Sequence, residues 1–243
     1  VPGSALIRRV RTPDRVEAIV VDDEGEQLFV GARSGAITGY SLASGKPTRS
    51  FTDETEPQTQ ADIFSSVVAL AVAPLCRQLI SGTEKGIVKV WGIDDGALLH
   101  TFASWEKDGW LDSLATPDDG RFIAVGYASG RVVVWDPQTS AVLLDSGKHR
   151  EGSIGARVAV TAVGDIVTVT FGGETIHQIE TKTWTRVRES RIDSAIQTVG
   201  DDYLLAVTPD GALAITAWEE IAFWNLDTGD CVREDSGVLY RYF

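Results

Sequence analysis

The sequence predicts an all-β protein, a β-propeller assembled from repeated four-stranded antiparallel blades. Three observations predict it: a recurring motif, its spacing and its turn chemistry. The segments GIVKVWGIDDGALLHTF (Gly86 to Phe102), GRVVVWDPQTSAVLLDS (Gly130 to Ser146) and EEIAFWNLDTGDCVRE (Glu219 to Glu234) share one pattern. Each has a β-rich run ending in Trp, a polar turn and a second β-rich run. Weaker copies occupy Gly35 to Phe51 and Gly173 to Val187. The anchor position at the end of the first run falls on Tyr40, Trp91, Trp135, Gln178 and Trp224, in steps of 51, 44, 43 and 46 residues. A period of about 40–45 residues made of short strands is the signature of propeller blades.

The third repeat shows how each element is justified. Leu111 and Leu114 begin a strand, and Thr116 to Gly120 (TPDDG) supplies the Pro, Asp and Gly of a tight turn. Phe122 to Gly126 forms a second strand, Ala128 to Gly130 a second turn, Arg131 to Trp135 a third strand and Ala141 to Leu144 a fourth. The same parse gives one domain over residues 1–243 with blades at about 14–51, 65–103, 108–146, 153–190 and 200–234. Residues 5–10 and 238–243 read as partial strands. First strands such as VVALAVA and YLLAVT are apolar nearly throughout, as strands covered on both faces are. Methionine is absent even at position 1, so the chain reads as an excerpt whose intact ring has six or seven blades; a closed five-blade ring is the competing expectation.

Composition narrows the function classes. With 43% hydrophobic and 23% charged residues the chain reads as a soluble globular protein. No apolar run approaches the ~18 residues of a membrane span, and the N-terminus lacks the apolar core of a secretory signal. The two cysteines, Cys76 and Cys231, fall in different repeats and read as reduced thiols of an intracellular protein. The net charge of −13 opposes phosphate backbones, which argues against nucleic acid as a partner.

WLDSLATPDDGRFIAVGYASGRVVVWDPQTS resembles the blade of the WD-repeat (WD40) family: a first strand, a Pro-Asp-Gly turn, a Gly-containing second turn and a terminal Trp-Asp. VVALAVAPLCRQLISGTEKGIVKVWGI keeps that register, with Leu75 and Cys76 in the slots of the turn's Asp and Gly. The likeness spans roughly residues 14–234 and is weakest in blades 1 and 4. The family's Gly-His pair is missing, with Glu106-Lys107 in its slot in blade 3. Its second-turn Asp is replaced by Ser34, Lys85 and Ser129. The resemblance therefore implies that the family's buried His–Asp–Ser–Trp network does not form, leaving stability to apolar side chains. SGAITGYSLASGK also slightly resembles quinoprotein-like propellers.

Searching for chemistry returns little. His100, His149 and His177 are not spaced as metal ligands, and there is no Cys-x-x-Cys. SGTEKGIVKVW lacks the ending and the helix of a phosphate loop. The pairs Asp22-Asp23, Asp94-Asp95, Asp118-Asp119 and Asp201-Asp202 fall at or beside turns, where Asp is favoured by backbone hydrogen bonding. No catalytic, cofactor or metal site is expected. In WD-repeat propellers the loops leading into each blade and the second turn within it share one face. The resemblance implies a partner-binding rim of Arg33, Glu84, Lys85, Trp105, Lys107, Tyr127, His149, Arg150, Trp218 and Glu219. The expected function is a non-catalytic protein-interaction scaffold within a larger protein or assembly, receiving a protein or peptide with an acidic segment. A quinoprotein-like ligand-binding or enzymatic propeller and a purely architectural subunit are the rival readings.

Overall fold

The computed structural model describes residues 9–22, 25–53, 66–103, 110–147, 155–161, 166–170, 175–191, 204–208, 211–217 and 221–235. They form twenty strands in five four-stranded antiparallel sheets, each an uninterrupted up-and-down meander. Blade 1 comprises β1 (Val16–Asp22), β2 (Gln27–Ala32), β3 (Ile37–Ser41) and β4 (Pro47–Phe51). Blade 2 comprises β5 (Val67–Ala73), β6 (Gln78–Thr83), β7 (Ile87–Gly92) and β8 (Leu98–Ala103), with a 3-10 turn at Pro74–Cys76. Blade 3 comprises β9 (Leu111–Ala115), β10 (Ile123–Tyr127), β11 (Val132–Trp135) and β12 (Val142–Asp145). Blade 4 comprises β13 (Ala156–Val160), β14 (Ile166–Thr170), β15 (Thr175–Glu180) and β16 (Thr185–Arg191). Blade 5 comprises β17 (Leu204–Val207), β18 (Leu213–Ala217), β19 (Ile221–Asn225) and β20 (Cys231–Asp235). The partial strands expected at 5–10 and 238–243 lie almost wholly outside the described residues.

First strands lie side by side, β1 against β5, β5 against β9, β9 against β13 and β13 against β17. Although some are apolar nearly throughout, they are not the most buried strands. Strands β10 and β11 are buried along their whole length, whereas the middle of β5 is only half-buried. The middle strands of a blade have a strand on each edge and a blade on each face, while the first strand has one free edge. Glycines permit the close approach between blades. A Cβ on Gly82 would lie 2.7 Å from the Leu111 side chain of the next blade, and one on Gly126 would collide with the Ala156 carbonyl.

The anchors of blades 2 to 5 face the preceding blade. The Trp91 ring meets Phe51 edge-on at 6.1 Å, and Trp135 stacks on Phe102 at 5.6 Å. The WD-type polar network persists in part: Trp91 Nε1 donates to Ser81 Oγ at 2.9 Å, and Trp224 Nε1 donates to Thr216 Oγ1 at 2.9 Å. The anchor of blade 4 is Ile179, not Gln178. In every blade the residue one past the anchor (Ser41, Gly92, Asp136, Glu180, Asn225) accepts an N–H from a left-handed residue four further on. Those residues are Gly45, Gly96, Ser140, Trp184 and Gly229, with φ of 67°, 75°, 60°, 53° and 82°. On this register Trp91, Trp135, Ile179 and Trp224 are 44, 44 and 45 residues apart, a more regular period. Trp184 supplies the missing aromatic, meeting Phe122 of blade 3 edge-on at 5.2 Å. A bulky residue at positive φ is disfavoured, and this contact offsets that cost.

The Asp pairs are not all turn residues. Asp22 ends β1 with its side chain fully buried, accepting at Oδ2 a 2.7 Å ion-paired hydrogen bond from Arg77 Nη1 of blade 2. Arg77 Nη2 also meets Asp94 Oδ1 at 2.9 Å, and Arg49 Nη1 and Nη2 donate to the carbonyls of Asp95 and Asp94. This polar seam ties blade 1 to blade 2 on the face carrying the β1–β2 turns. Cys76 and Cys231 are not joined in a disulfide, and burial, then the Asp119 charge, pushes the Cys76 thiol up. Among the described residues no helix is long and apolar enough to cross a membrane.

Candidate functional site

One face of the array gathers the β2–β3 type turns and the segments leading into each blade, and backbone hydrogen bonds build it the same way three times. The N–H of Arg33 donates to the carbonyl of Arg15 at 2.9 Å, that of Glu84 to Ser66 at 3.0 Å and that of Ala128 to Trp110 at 2.8 Å. Each bond fixes a turn against the start of its own blade's first strand. Two further bonds cross between blades: Ser66 Oγ donates to the Arg33 carbonyl at 3.1 Å, and Gly155 N–H to the Ala128 carbonyl at 2.8 Å. The rim is thus a chain of tied loops, a rigid base for exposed side chains.

Asp14 reinforces it in blade 1. Its carboxylate accepts the N–H groups of Arg15 at 2.6 Å and Ser34 at 2.7 Å. Hydrogen bonding from the Ser34 side chain, then from these backbone groups, holds the Asp14 carboxyl below the usual carboxylate range. A lowered folded-state pKa means the clasp favours folding above the ordinary carboxylate range and loses that contribution as pH falls through the lowered value. The Ser34 amide resonance is therefore expected to stay fixed from neutral pH to about pH 4 and to move on further acidification. In Asp14→Asn that acid-limb movement is expected to vanish.

The expected rim residues divide into three groups. Arg33 and Lys85 are exposed at the tips of the tied turns, with Glu84 half-buried beside Lys85. Tyr127 is not a rim contact: it is 0% exposed, in the cluster of Val90, Phe102, Leu111, Val125 and Trp135. A register shift between Gly126 and Tyr127 pairs Tyr127 with Leu111 and turns its side chain inward. Trp105, Lys107, His149, Arg150, Trp218 and Glu219 lie outside the described residues. Trp110, just ahead of β9, also belongs to this face: it is 62% exposed. A Trp just ahead of an apolar strand reads as core, and no sequence signal marked it otherwise.

The described part of the rim carries the exposed side chains of Arg33, Lys85 and Trp110. Among the described residues no three His, Cys, Asp or Glu side chains come together as metal ligands. A cavity of about 170 Å³ opens beside blade 1, between Pro13 and the Val30, Ala32 and Tyr40 side chains. That is below the roughly 300–1,000 Å³ of small-molecule sites.

Five meandering four-stranded sheets with a shared rim of turns define a blade-built all-β protein of the propeller type. Residues 96–136, from the β7–β8 turn through the end of β11, match the family model of the WD40 repeat, described as WD domain, G-beta repeat. No curated protein matches the chain. WD40 repeats as a class mediate protein–protein interaction.

Proposed function

We propose that this protein is a non-catalytic interaction platform within a larger intracellular assembly, and that its partner docks on the rim of tied turns. The observation that carries this reading is Trp110, a large aromatic held 62% exposed at the start of β9 by a backbone bond to the Ala128 turn. Exposed Trp and Arg side chains on a fixed backbone suit binding hot spots, because little backbone freedom remains to be lost on association. Arg33 and Lys85 place cations on the same face of a protein whose net charge is −13. Locally positive groups in an acidic field favour a protein segment carrying carboxylates and make its association salt-sensitive. Trp105, Lys107, His149 and Arg150 extend this surface by sequence, from the loops leading into blades 3 and 4. The same net charge opposes nucleic acid and anionic membrane surfaces.

Partner capture from cell extract by the wild-type chain and by the double variant Trp110→Ala, Lys85→Ala tests the proposal. Loss of a hot-spot residue weakens binding by about 2 kcal/mol or more, roughly 30-fold. The variant is expected to lose the captured protein while its melting curve stays in place. Equal capture by both chains moves the site off this rim.

A further inference from the structure

The outer edge of blade 4 carries a second interaction surface, and we infer that it accepts an extended acidic polypeptide by strand addition. Among the described residues strand β16 is the last strand of its sheet, so its outward edge presents backbone N–H and C=O groups for pairing. It spans seven residues, against five, six, four and five for the outer strands β4, β8, β12 and β20. Its sequence, TRVRESR, carries three arginines, whereas no other outer strand carries more than one. Lys182, in the turn before it, adds a fourth cation, and the carboxylates in the same stretch are Glu180 and Glu189. Residues 180–191 are therefore net positive on a chain of net charge −13.

The side chains suit a strand of alternating character. Arg186 is 55% exposed at its side chain although it meets Glu189 at 2.6 Å. Val187 is 57% exposed, because the register shift between Gln178 and Ile179 leaves it as the extra residue of a bulge. The Arg188 side chain is half-buried and, like that of Arg49 in blade 1, runs beside the next blade's turn: a Cβ on Gly229 would lie 3.8 Å from Arg188 Cδ. Cation, apolar, cation in sequence at an open edge complements a peptide alternating Glu with Val or Leu. Backbone pairing gives such a peptide its affinity and the side chains its specificity. Like charges on two copies of β16 repel, so the same arginines oppose edge-to-edge self-association. Nucleic acid is the weaker fit. A cationic stretch this short on an acidic body offers few phosphate contacts, and a base stack has no use for an unpaired strand edge.

The test uses the full chain and a fluorescent eight-residue peptide alternating Glu and Val. Anisotropy is expected to show saturable binding that weakens at least tenfold between low and physiological salt. Hydrogen exchange is expected to slow in β16 alone. The double variant Arg186→Glu, Arg188→Glu should lose binding at least tenfold with an unchanged melting curve, and Arg33→Glu on the rim should not affect it. A peptide with Pro at its central position, unable to donate along the edge, should also fail. Equal binding of the Pro peptide or of the β16 variant overturns the inference, as does absence of peptide binding. A single-stranded oligonucleotide binding more tightly than the peptide overturns it in favour of nucleic acid. Loss of peptide binding in Arg33→Glu overturns the inference and places the peptide on the rim; the rim proposal itself is tested separately, by Trp110→Ala, Lys85→Ala.

Discussion

Replacing Trp91 by alanine is expected to lower stability by about 3–5 kcal/mol, the range for truncating a large core aromatic. The indole is almost wholly buried, meets Phe51 edge-on and lies with Phe29, Val67 and Leu79 in the core shared by blades 1 and 2. The substitution opens a cavity between two blades and leaves the buried Ser81 hydroxyl without its indole donor. Trp91→Phe separates the two effects. It keeps most of the apolar volume and removes the hydrogen bond, so its cost should fall nearer about 1–2 kcal/mol, the worth of one hydrogen bond plus a small packing defect. Denaturant unfolding of the three chains measures both. An alanine variant as stable as wild type would mean that Trp91 does not face blade 1.

The strands were legible because their apolar runs are short, β-branched and bounded by Gly, Pro, Asp and Ser. Blade 4 was misread by one residue for a physical reason. Its anchor is an aliphatic, and the aromatic that compensates, Trp184, stands five residues later in a turn where other blades have Gly or Ser. Counting from the tryptophans therefore placed the anchor at Gln178. Tyr127 lies inside the blade and not on the rim because of the register shift at Gly126 and Tyr127, a two-strand property that one strand's sequence does not encode. On the rim, Arg33, Glu84 and Lys85 lie in the second turns of blades 1 and 2, a placement that the family resemblance implied and residue patterns alone did not. The Asp14 clasp on Ser34 joins residues 20 apart, and the Asp22–Arg77 pair joins residues 55 apart. Such pairs are fixed by how segments and blades meet, so no local pattern announces them.

Replacing Arg77 by alanine is expected to cost about 3–5 kcal/mol, because it removes the counter-charge of a buried carboxylate. The Asp22 side chain is fully buried, and Arg77 Nη1 meets its Oδ2 at 2.7 Å. Its other oxygen, Oδ1, has no hydrogen-bond partner, so Arg77 provides the compensation that this carboxylate receives from a side chain. The guanidinium is itself 34% exposed and bridges to Asp94, which is mostly exposed. That second contact is worth little on its own, in the range of about 0–1 kcal/mol for a surface pair. The loss should therefore come from Asp22 and not from Asp94. A double-mutant cycle separates them. Asp94→Ala should be nearly silent, while the pair Asp22→Leu, Arg77→Met should recover much of what Arg77→Ala loses, since an apolar replacement leaves no charge stranded between blades. Urea unfolding supplies the numbers. If Asp22→Leu, Arg77→Met is as unstable as Arg77→Ala, the cost lies in lost packing around Arg77 and not in an uncompensated charge at the blade 1–blade 2 seam.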